Sequence, residues 1–257
     1  MSDIHPTAIV APGAQLGEGV TIGPYCTVGP NVRIGDGTVL MSHVVVDGHT
    51  TLGANCRLFP FACIGMQTQD LKFAGGTTYA EVGDRTTLRE YVTINTGTRE
   101  GEVTRVGAGC LLMAYCHVAH GCRLGDGVIM SNASQLAGEV EIESQAILAG
   151  VVAVHQFVRI GTMAMVGGLS KVQQDCPPYM LTDGNPPTVR GLNSVGLQRR
   201  GVSSETRLAL KQAFRLLHRK GLSTATACAT IRETLPGSPE IEHLLAFYAA
   251  SARGVTR

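Results

Sequence analysis

Tryptophan is absent from this chain of 257 residues, and aromatic residues of all kinds make up only 5% of it. Charged residues make up 16% and the formal net charge is +1, so the basic excess typical of nucleic-acid-binding proteins is missing. No apolar run approaches the roughly 20 residues that a membrane-spanning helix needs. The start, MSDIHP, lacks a basic segment followed by an apolar stretch. We therefore expect a cytoplasmic protein with no nucleic-acid partner and no membrane span.

A CxxC pair is missing as well, although the chain contains eight cysteines. Six of them occupy the small inward position of the six-residue repeat described below: Cys26, Cys56, Cys110, Cys116, Cys122 and Cys176. Because a reduced cysteine packs as a small apolar residue, we expect these six to fill the core rather than to form disulfides or bind metal.

A six-residue repeat is what the chain has in abundance. An apolar residue opens each unit in three runs, from Ile4 to Ile64, from Val82 to Ile94 and from Val106 to Val172. The fifth place is always Ala, Val, Ser, Thr or Cys, and Gly is frequent at the second place, where we expect it to supply turn conformations. Two inward residues in six predict a short strand followed by a turn.

Strands this short cannot bury an apolar side alone, so successive units must stack as the coils of a parallel β-helix. The period itself fixes neither the number of units per coil nor the hand of the winding. The repeat resembles that of the hexapeptide-repeat transferases. This resemblance implies three units per coil and a left-handed triangular prism.

Two segments leave the register, near 66–81 and near 99–105. Asp70, Gly76 and Glu100 stand where apolar openers are expected. We interpret both segments as loops that leave the prism, and loops on a rigid scaffold often carry binding groups. The alternative is a pair of tolerated surface insertions without a role.

The repeats stop at Cys176-Pro177-Pro178, and helical signals follow a proline-rich connector. We expect a β-helix over 1–189 and a helical domain over 190–257. The predicted helix starts are Ser203 or Ser204, Ser223 and Ser238. The segment 190–257 has eleven Lys or Arg residues against four Glu. This indicates either an acidic partner at the helical end or a solvated basic surface.

The most informative side chains for chemistry are the histidines of Tyr115-Cys116-His117-Val118-Ala119-His120. With eighteen residues per coil, Gly138 and Gln156 lie above His120 in the next two coils, at the roughly 4.8 Å spacing of neighbouring strands. An imidazole base beside a backbone N–H that can hold an oxyanion suits acyl transfer. A surface histidine without a role is the alternative.

The segments QDLK (69–72), HVAH (117–120), AVHQF (153–157) and GNPPTVRGLNSVGLQRRG (184–201) resemble those of the UDP-N-acetylglucosamine 3-O-acyltransferases, the family that starts lipid A synthesis. The resemblance runs nearly end to end. It implies that His120 is the general base that takes the proton of the sugar 3-hydroxyl. It also implies that the amide of Gly138 stabilises the oxyanion, and that Gly168 limits the length of the 3-hydroxyacyl chain.

The same resemblance implies a set of substrate-binding residues: Asp70, Lys72, His117, Gln156, Asn193, Arg199 and Arg200. It also implies a homotrimer with active sites between subunits. The acyl group would arrive on the phosphopantetheine of an acidic acyl carrier protein, with no metal and no other cofactor.

This sequence departs from some relatives at three positions. Gly121 follows the base where some relatives have Asp, Glu139 follows the oxyanion position where some have His, and Asn95 stands where a His can occur. If a carboxylate orients the imidazole in those relatives, it must come from elsewhere here. The departures also leave open whether the acceptor is a 3-hydroxyl or a 3-amino sugar.

Three other functions remain as alternatives. A zinc hydratase of the carbonic anhydrase type would need His117, His120 and His155. His155 lies about two rungs, or roughly 9.6 Å, from the level of His120, which is too far for a tetrahedral zinc site within one chain. A site shared between subunits stays open. A later N-acyltransferase of the same pathway has a uridine-binding domain before its prism, whereas the repeats here begin at Ile4. A non-catalytic scaffold would not need His120.

Overall fold

The computed structural model describes residues 2–257. From residue 3 to residue 172 the chain forms twenty-six short strands, and each contains one of the predicted apolar openers. In chain order they are β1 (Asp3–Ile4), β2 (Ile9–Val10), β3 (Gln15–Leu16), β4 (Thr21–Ile22), β5 (Thr27–Val28), β6 (Arg33–Ile34), β7 (Val39–Leu40), β8 (Val45–Val46), β9 (His49–Leu52), β10 (Arg57–Leu58), β11 (Cys63–Met66), β12 (Tyr79–Val82), β13 (Thr87–Leu88), β14 (Thr93–Asn95), β15 (Val103–Val106), β16 (Leu111–Leu112), β17 (His117–Val118), β18 (Arg123–Leu124), β19 (Ile129–Met130), β20 (Gln135–Leu136), β21 (Glu141–Ile142), β22 (Ile147–Leu148), β23 (Ala153–Val154), β24 (Arg159–Ile160), β25 (Met165–Val166) and β26 (Lys171–Val172).

From β1 to β23, each strand pairs in parallel with the strand three places later, and this pairing forms three sheets that wrap into a prism. The first sheet begins with β1, the second with β2 and the third with β3. Paired residues are eighteen apart in the regular coils, as in Ile4 with Ile22 and Val10 with Val28. The predicted three units per coil are therefore confirmed.

Both predicted loops leave the prism at the corner between the second and third sheets. The loops span 67–78 and 96–102, so the predicted bounds of 66–81 and 99–105 need correction. The reason is strand pairing: β9, β12 and β15 are four residues long and pair residue for residue, as in Tyr79 with Val103. These hydrogen bonds extend the third sheet into segments that lack a hexapeptide opener.

The interior of the prism is a set of vertical ladders of apolar side chains. Leu40, Leu58, Leu88 and Leu112 form part of one such ladder, and each is fully buried. The six cysteines at inward positions are buried and all eight cysteines are free, which confirms the prediction that these six are core residues. Burial raises the pKa of these thiols, so they are poor metal ligands and poor nucleophiles.

Glycine at the second place of the repeat does not supply the turn conformation that we expected. In the regular units the positive φ angles fall at the fourth place and are often adopted by other residues, such as Tyr25 and Tyr91, whereas Gly65 is a second-place exception next to the first loop. Second-place glycines instead allow neighbouring coils to approach closely. A Cβ at Gly23 would lie 2.9 Å from the carbonyl carbon of Met41, and one at Gly35 would lie 2.6 Å from that of Gly53.

Beyond the prism, strand β27 (Met180–Gly184) extends the first sheet and β28 (Pro187–Leu192) pairs with it in an antiparallel hairpin. Four helices follow: α1 (Ser194–Arg199), α2 (Ser204–His218), α3 (Thr224–Thr234) and α4 (Pro239–Ala249). The predicted caps Ser203, Ser223 and Ser238 accept hydrogen bonds from the first turns of α2, α3 and α4. In residues 2–257 none of the helices has the length and apolar character needed to cross a membrane.

Two separate hydrophobic clusters pack the chain, one inside the prism up to Cys176 and one from Tyr179 onward, formed by the hairpin and the helices. The boundary that we predicted between residues 189 and 190 falls inside β28. The division into domains 1–189 and 190–257 stays a prediction.

Candidate active site

The predicted base lies at the corner from which both loops leave. We name this the loop corner and define it by the connections 67–78, 96–102, 119–122 and 137–140 between the second and third sheets. Along it, Glu102, His120, Gly138 and Gln156 follow one another at intervals of eighteen residues. The adjacent strands β15, β18, β21 and β24 pair with the same offset. These four residues therefore form one vertical column.

His120 and Gly138 are in direct contact, as the predicted column requires. A Cβ on Gly138 would lie no farther than 2.9 Å from Nε2, Cε1 and Cδ2 of the imidazole, so only glycine leaves room for the ring. The backbone N–H of Gly138 donates none of the backbone hydrogen bonds found in residues 2–257. A free N–H thus lies beside the ring, where it can donate to an oxygen on a bound substrate.

Asp70 reaches the same ring from the first loop. Its Oδ2 lies 3.4 Å from Nε2 of His120, and its Oδ1 accepts the backbone N–H of Lys72 at 3.0 Å. The Thr68 and Thr98 hydroxyls, 3.1 Å apart, join the two loops. The side chain of Lys72 is exposed. The first loop therefore presents both a carboxylate and an ammonium group at the loop corner.

Two glutamates, Glu102 and Glu139, also lie near the ring of His120. His120 is only 9% exposed, and its Nδ1 is buried without a hydrogen-bond partner. Glu139 is ion-paired with Arg99 at 3.3 Å. Burial and the neighbouring carboxyl of Glu102 raise the pKa of Glu139 above its usual value. Two carboxyl groups and an imidazole therefore share a partly desolvated space.

These three side chains form the one metal-compatible group found in residues 2–257. One ligand atom each from Glu102, His120 and Glu139 lies within 4.8 Å of the others. The zinc alternative required His117 and His155 instead. The Nδ1 atoms of those residues contact the Thr93 hydroxyl at 2.7 Å and the Gln156 carbonyl at 3.0 Å. Within one chain, residues 2–257 thus do not bring His117, His120 and His155 together as a zinc site.

The other predicted residues near this corner are His117 and Gln156. His117 lies on β17 in the second sheet, and burial lowers the pKa of its imidazole. A largely neutral imidazole can accept or donate one hydrogen bond at each nitrogen. Gln156 is half-buried, one rung above Gly138 in the column.

The structure does not bring Asn193, Arg199 and Arg200 to the loop corner of the same chain. The side chain of Asn193 caps α1 and donates to the carbonyl of Met163 at 2.9 Å. Arg200 donates to the carbonyl of Gln145 at 3.2 Å, and burial lowers its pKa. Both carbonyls belong to the corner between the third and first sheets. Arg199 is exposed.

Gly168 lies at the remaining corner, between β25 of the first sheet and β26 of the second. It is exposed, and a Cβ there would lie 3.3 Å from the carbonyl oxygen of Gly150. The predicted site residues are therefore spread over three corners of one prism.

Sequence reasoning missed Glu102, Arg99 and Thr93. Glu102 had a detectable signal, since it lies eighteen residues before His120. The loss of register at 96–102 hid this relationship. The openers Ile94 and Val106 are twelve residues apart instead of six, so strands on either side of this loop pair at an offset of 24 residues instead of 18. Arg99 and Thr93 carry no such signal.

The chain is similar to known proteins over its full length. The family model described as UDP-N-acetylglucosamine O-acyltransferase, domain 2, matches residues 175–256. A curated protein of Verminephrobacter eiseniae, named acyl-[acyl-carrier-protein]–UDP-N-acetylglucosamine O-acyltransferase, is 47% identical over 262 residues, with 100% of both chains covered. One of the same name from Synechocystis is 48% identical over 209 residues, covering 81% of this chain and 75% of the relative.

Solved structures agree with the sequence relatives. A UDP-N-acetylglucosamine acyltransferase from Bacteroides fragilis superimposes with a TM-score of 0.96 at 39% identity, covering 98% of this chain and 99% of the other. The corresponding enzyme of Francisella novicida gives 0.95 at 36% identity, covering 99% and 94%. The predicted fold class, a left-handed parallel β-helix followed by C-terminal helices, is confirmed.

Proposed function

The chain belongs to the UDP-N-acetylglucosamine O-acyltransferase family, and on that premise we propose that it moves a 3-hydroxyacyl chain from acyl carrier protein to the 3-hydroxyl of UDP-N-acetylglucosamine in lipid A biosynthesis. The observation that carries the chemistry is the contact between the imidazole of His120 and the backbone of Gly138. A base and an oxyanion donor on neighbouring rungs fit the two demands of acyl transfer.

The reaction follows from this pair. Nε2 of His120 removes the proton of the sugar 3-hydroxyl as its oxygen attacks the thioester carbon. The N–H of Gly138 donates to the oxyanion that forms. When the tetrahedral intermediate collapses, the C–S bond breaks, and the imidazolium returns the proton to the phosphopantetheine thiolate. The products are the ester and the free carrier thiol.

Asp70 and Lys72 are proposed to hold the glucosamine moiety. Asp70 already lies beside Nε2, at 3.4 Å, so a sugar hydroxyl placed between the two groups could donate to either. His117, on strand β17 beside the column, and Gln156, one rung above Gly138 in the column, are proposed to line the cleft. Gly168 is proposed to leave room for the acyl chain.

We propose that the active protein is a homotrimer with its sites between subunits. The support is geometric: the base lies at the loop corner, whereas Asn193 and Arg200 lie against the corner between the third and first sheets. In a trimer, the Asn193 and Arg200 of one subunit can approach the His120 of its neighbour. Arg199 and Arg200 would then meet the nucleotide and its phosphates, for which a guanidinium is well suited.

The donor is acyl carrier protein, and the phosphopantetheine that it carries is the only cofactor in this proposal. The basic segment 190–257 suits an acidic carrier. Eight free cysteines fit a reducing compartment, so we place the protein in the cytoplasm. The names of the relatives specify an O-acyltransferase, which favours the ester over the amide of a 3-amino sugar.

The direct test is to incubate the purified protein with UDP-N-acetylglucosamine and a panel of acyl carrier proteins loaded with 3-hydroxyacyl or acyl chains. The masses of the products are then measured by mass spectrometry. We expect a mass gain on the sugar nucleotide equal to one acyl group, with release of free carrier. With the 3-amino analogue of the sugar nucleotide as the acceptor in a parallel reaction, faster turnover and a product that resists mild alkaline hydrolysis would indicate an amide instead of an ester. The absence of acyl gain with every carrier would overturn the proposal.

A further inference from the structure

The imidazole of His120 has an unusual surrounding for a residue that must carry a charge. One side, with Nε2, faces Asp70 and Gly138. The other nitrogen, Nδ1, is buried and has no hydrogen-bond partner. A buried polar atom left unpaired costs about 1–3 kcal/mol, and an imidazolium donates at both nitrogens. A partner for Nδ1 is therefore needed when the base takes its proton.

Two carboxyl groups occupy the space beside the residue that follows the base. A Cβ on Gly121 would lie 3.0 Å from Cδ and Oε2 of Glu139 and 3.2 Å from Oε1 of Glu102. Glu102 is one rung below His120 in the column, and Glu139 is one rung above Gly121. One ligand atom of each glutamate lies within 4.8 Å of a ring nitrogen of His120. The missing side chain at Gly121 is what makes this room.

The two glutamates are held in place by the second loop. Oε2 of Glu102 accepts the backbone N–H of Thr98 and, at 3.3 Å, that of Arg99. The guanidinium of Arg99 lies 3.3 Å from Oε1 of Glu139. The remaining oxygens, Oε1 of Glu102 and Oε2 of Glu139, are the ones beside Gly121. The arrangement therefore leaves one acceptor atom of each glutamate facing the space next to the base.

We propose that Glu102 and Glu139 position His120 by accepting its Nδ1–H. This contact keeps Nε2 directed at the sugar hydroxyl and stabilises the imidazolium after proton transfer. The transferred proton resides on Nε2 throughout, and the Nδ1 proton stays on Nδ1. Asp70 cannot perform this role because it approaches Nε2. The inference rests on the proposed function, in which His120 is the base.

The first test compares Glu102→Gln, Glu139→Gln and the double variant with Glu141→Gln. Glutamine keeps the size and one acceptor oxygen but removes the negative charge. Glu141 is the matched control, because it lies two residues beyond Glu139, its side chain is 53% exposed and its ion pair is with Arg159. Thermal unfolding of each variant, compared with that of the parent protein, checks that the fold is retained.

We expect the double variant to lose between about 10-fold and 10²-fold in kcat, since orienting the base accounts for part of a general-base contribution of about 10² to 10⁴. KM for UDP-N-acetylglucosamine should change less than about twofold, because an interaction made only in the transition state lowers kcat alone. The acid limb of kcat/KM against pH should move to lower pH. Glu141→Gln should match the parent protein in all three.

A relocated carboxylate provides a rescue. Gly121 has a φ of +66°, a conformation that Asp tolerates better than most residues. In Gly121→Asp combined with Glu139→Ala, the smaller residue at 139 makes room for a carboxylate at 121. We expect this double variant to be at least about threefold more active than Glu139→Ala alone. The Nδ1 proton of His120, followed by NMR with nitrogen-15 histidine, should move upfield in the Glu102→Gln, Glu139→Gln double variant.

Several results would overturn the inference. The first is a parental kcat and pH profile in the Glu102→Gln, Glu139→Gln variant. A second is a raised KM with unchanged kcat, which would mean that the pair binds substrate. A third is loss of parental activity on treatment with EDTA and its return with a divalent cation, which would make the pair a metal site. The His120→Ala variant separates the two proposals. If it is fully active, His120 is not the base and the proposed function fails. If it is inactive while the Glu102→Gln, Glu139→Gln variant is fully active, only the positioning role of the two glutamates is wrong.

Discussion

Two corners of the same prism have opposite characters. The corner between the first and second sheets carries a regular stack of rings, Tyr25, His43, Phe61, Tyr91 and Tyr115, with centroids 4.8 to 5.0 Å apart. This aromatic corner has no loop. The loop corner, between the second and third sheets, carries two excursions and the column of Glu102, His120, Gly138 and Gln156.

The difference between the two corners shows which positions of the repeat are not constrained by core packing. The inward first and fifth places are fixed by packing, so both corners share the same coil spacing, which matches the roughly 4.8 Å between strands. Residues at the turns point outward and are not constrained by the core. One corner uses this freedom to stack rings, and the other uses it to bring titratable groups together.

The largest expected effect at the loop corner is that of His120→Ala. Removing the base should lower turnover by at least about 10²-fold while the sugar nucleotide still binds, because general-base catalysis contributes about that much or more. Steady-state turnover and calorimetric binding of UDP-N-acetylglucosamine measure the two quantities. Unaffected turnover would show that the base is a group other than His120.

Gly138→Ala tests the contact inside the column. The new methyl group would overlap the imidazole, so the ring must move away from the N–H beside it. We expect a loss of about 10²-fold in kcat, the order of effect that a displacement of about 1 Å can have. Gly150→Ala is a suitable control, since its Cβ would meet only the Asn132 carbonyl oxygen at 3.5 Å. Equal kcat values for the two variants would contradict the proposed geometry.

Reversing the charges of Arg199 and Arg200 tests whether the corner between the third and first sheets contributes to the active site. The double change to Glu should weaken binding of the nucleotide or the carrier by about 10-fold, and more strongly at low salt, where screening is weaker. Equilibrium binding at two ionic strengths measures the effect. Unchanged affinity at low ionic strength would remove both residues from the site.

For Phe61, in the ring stack of the aromatic corner, we expect an effect on stability without one on activity. Phe61→Ala breaks two stacked contacts and should cost about 1 kcal/mol. Leu58→Ala, three residues earlier in the same coil and fully buried, should cost about 2–5 kcal/mol. Denaturant unfolding of both variants measures the difference. A lowered kcat in Phe61→Ala would show that the ring stack also takes part in catalysis.

The smallest expected effect concerns the contact between the prism and α4. Burial raises the pKa of Glu143, but hydrogen bonds from His243 and Thr162 outweigh it and lower the pKa on balance. Because the folded-state pKa is depressed, this contribution to stability is present above the unfolded pKa, near 4.5, and is lost as the pH falls through the folded value. Glu143→Gln should reduce the difference in melting temperature between pH 7 and pH 3. An unchanged difference would mean that the contact does not respond to pH.

The regular part of the fold was predictable because each coil repeats the same packing problem. Every opener from Ile4 to Val172 lies in a strand, and the inward cysteines are buried. The function of the second-place glycines was misjudged, because close approach between coils depends on neighbours eighteen residues away and not on local turn geometry. The ends of both loops were misjudged for a similar reason, since β12 is extended by pairing with β9 and β15 by pairing with β12.

The candidate site was predictable only in part. The contact between His120 and Gly138 follows from counting eighteen residues, and the structure has it. Glu102 obeys the same count, but an irregular loop separates it from the repeat. The position of Asn193 and Arg200 against the corner between the third and first sheets depends on how the tail packs against the prism, which no local pattern encodes.

The sequence by itself determined the coiled β architecture and the apolar ladders, because a period of six residues places inward side chains in every unit and each coil repeats the same packing. The period did not fix the number of units per coil. The vertical register of the column followed from the three units per coil that the resemblance implied. Only the tertiary structure decided which groups surround Nδ1 of His120 and where the tail arginines lie. Those contacts join loops and helices that share no period with the prism, so their positions depend on packing between distant segments and not on spacing along the chain.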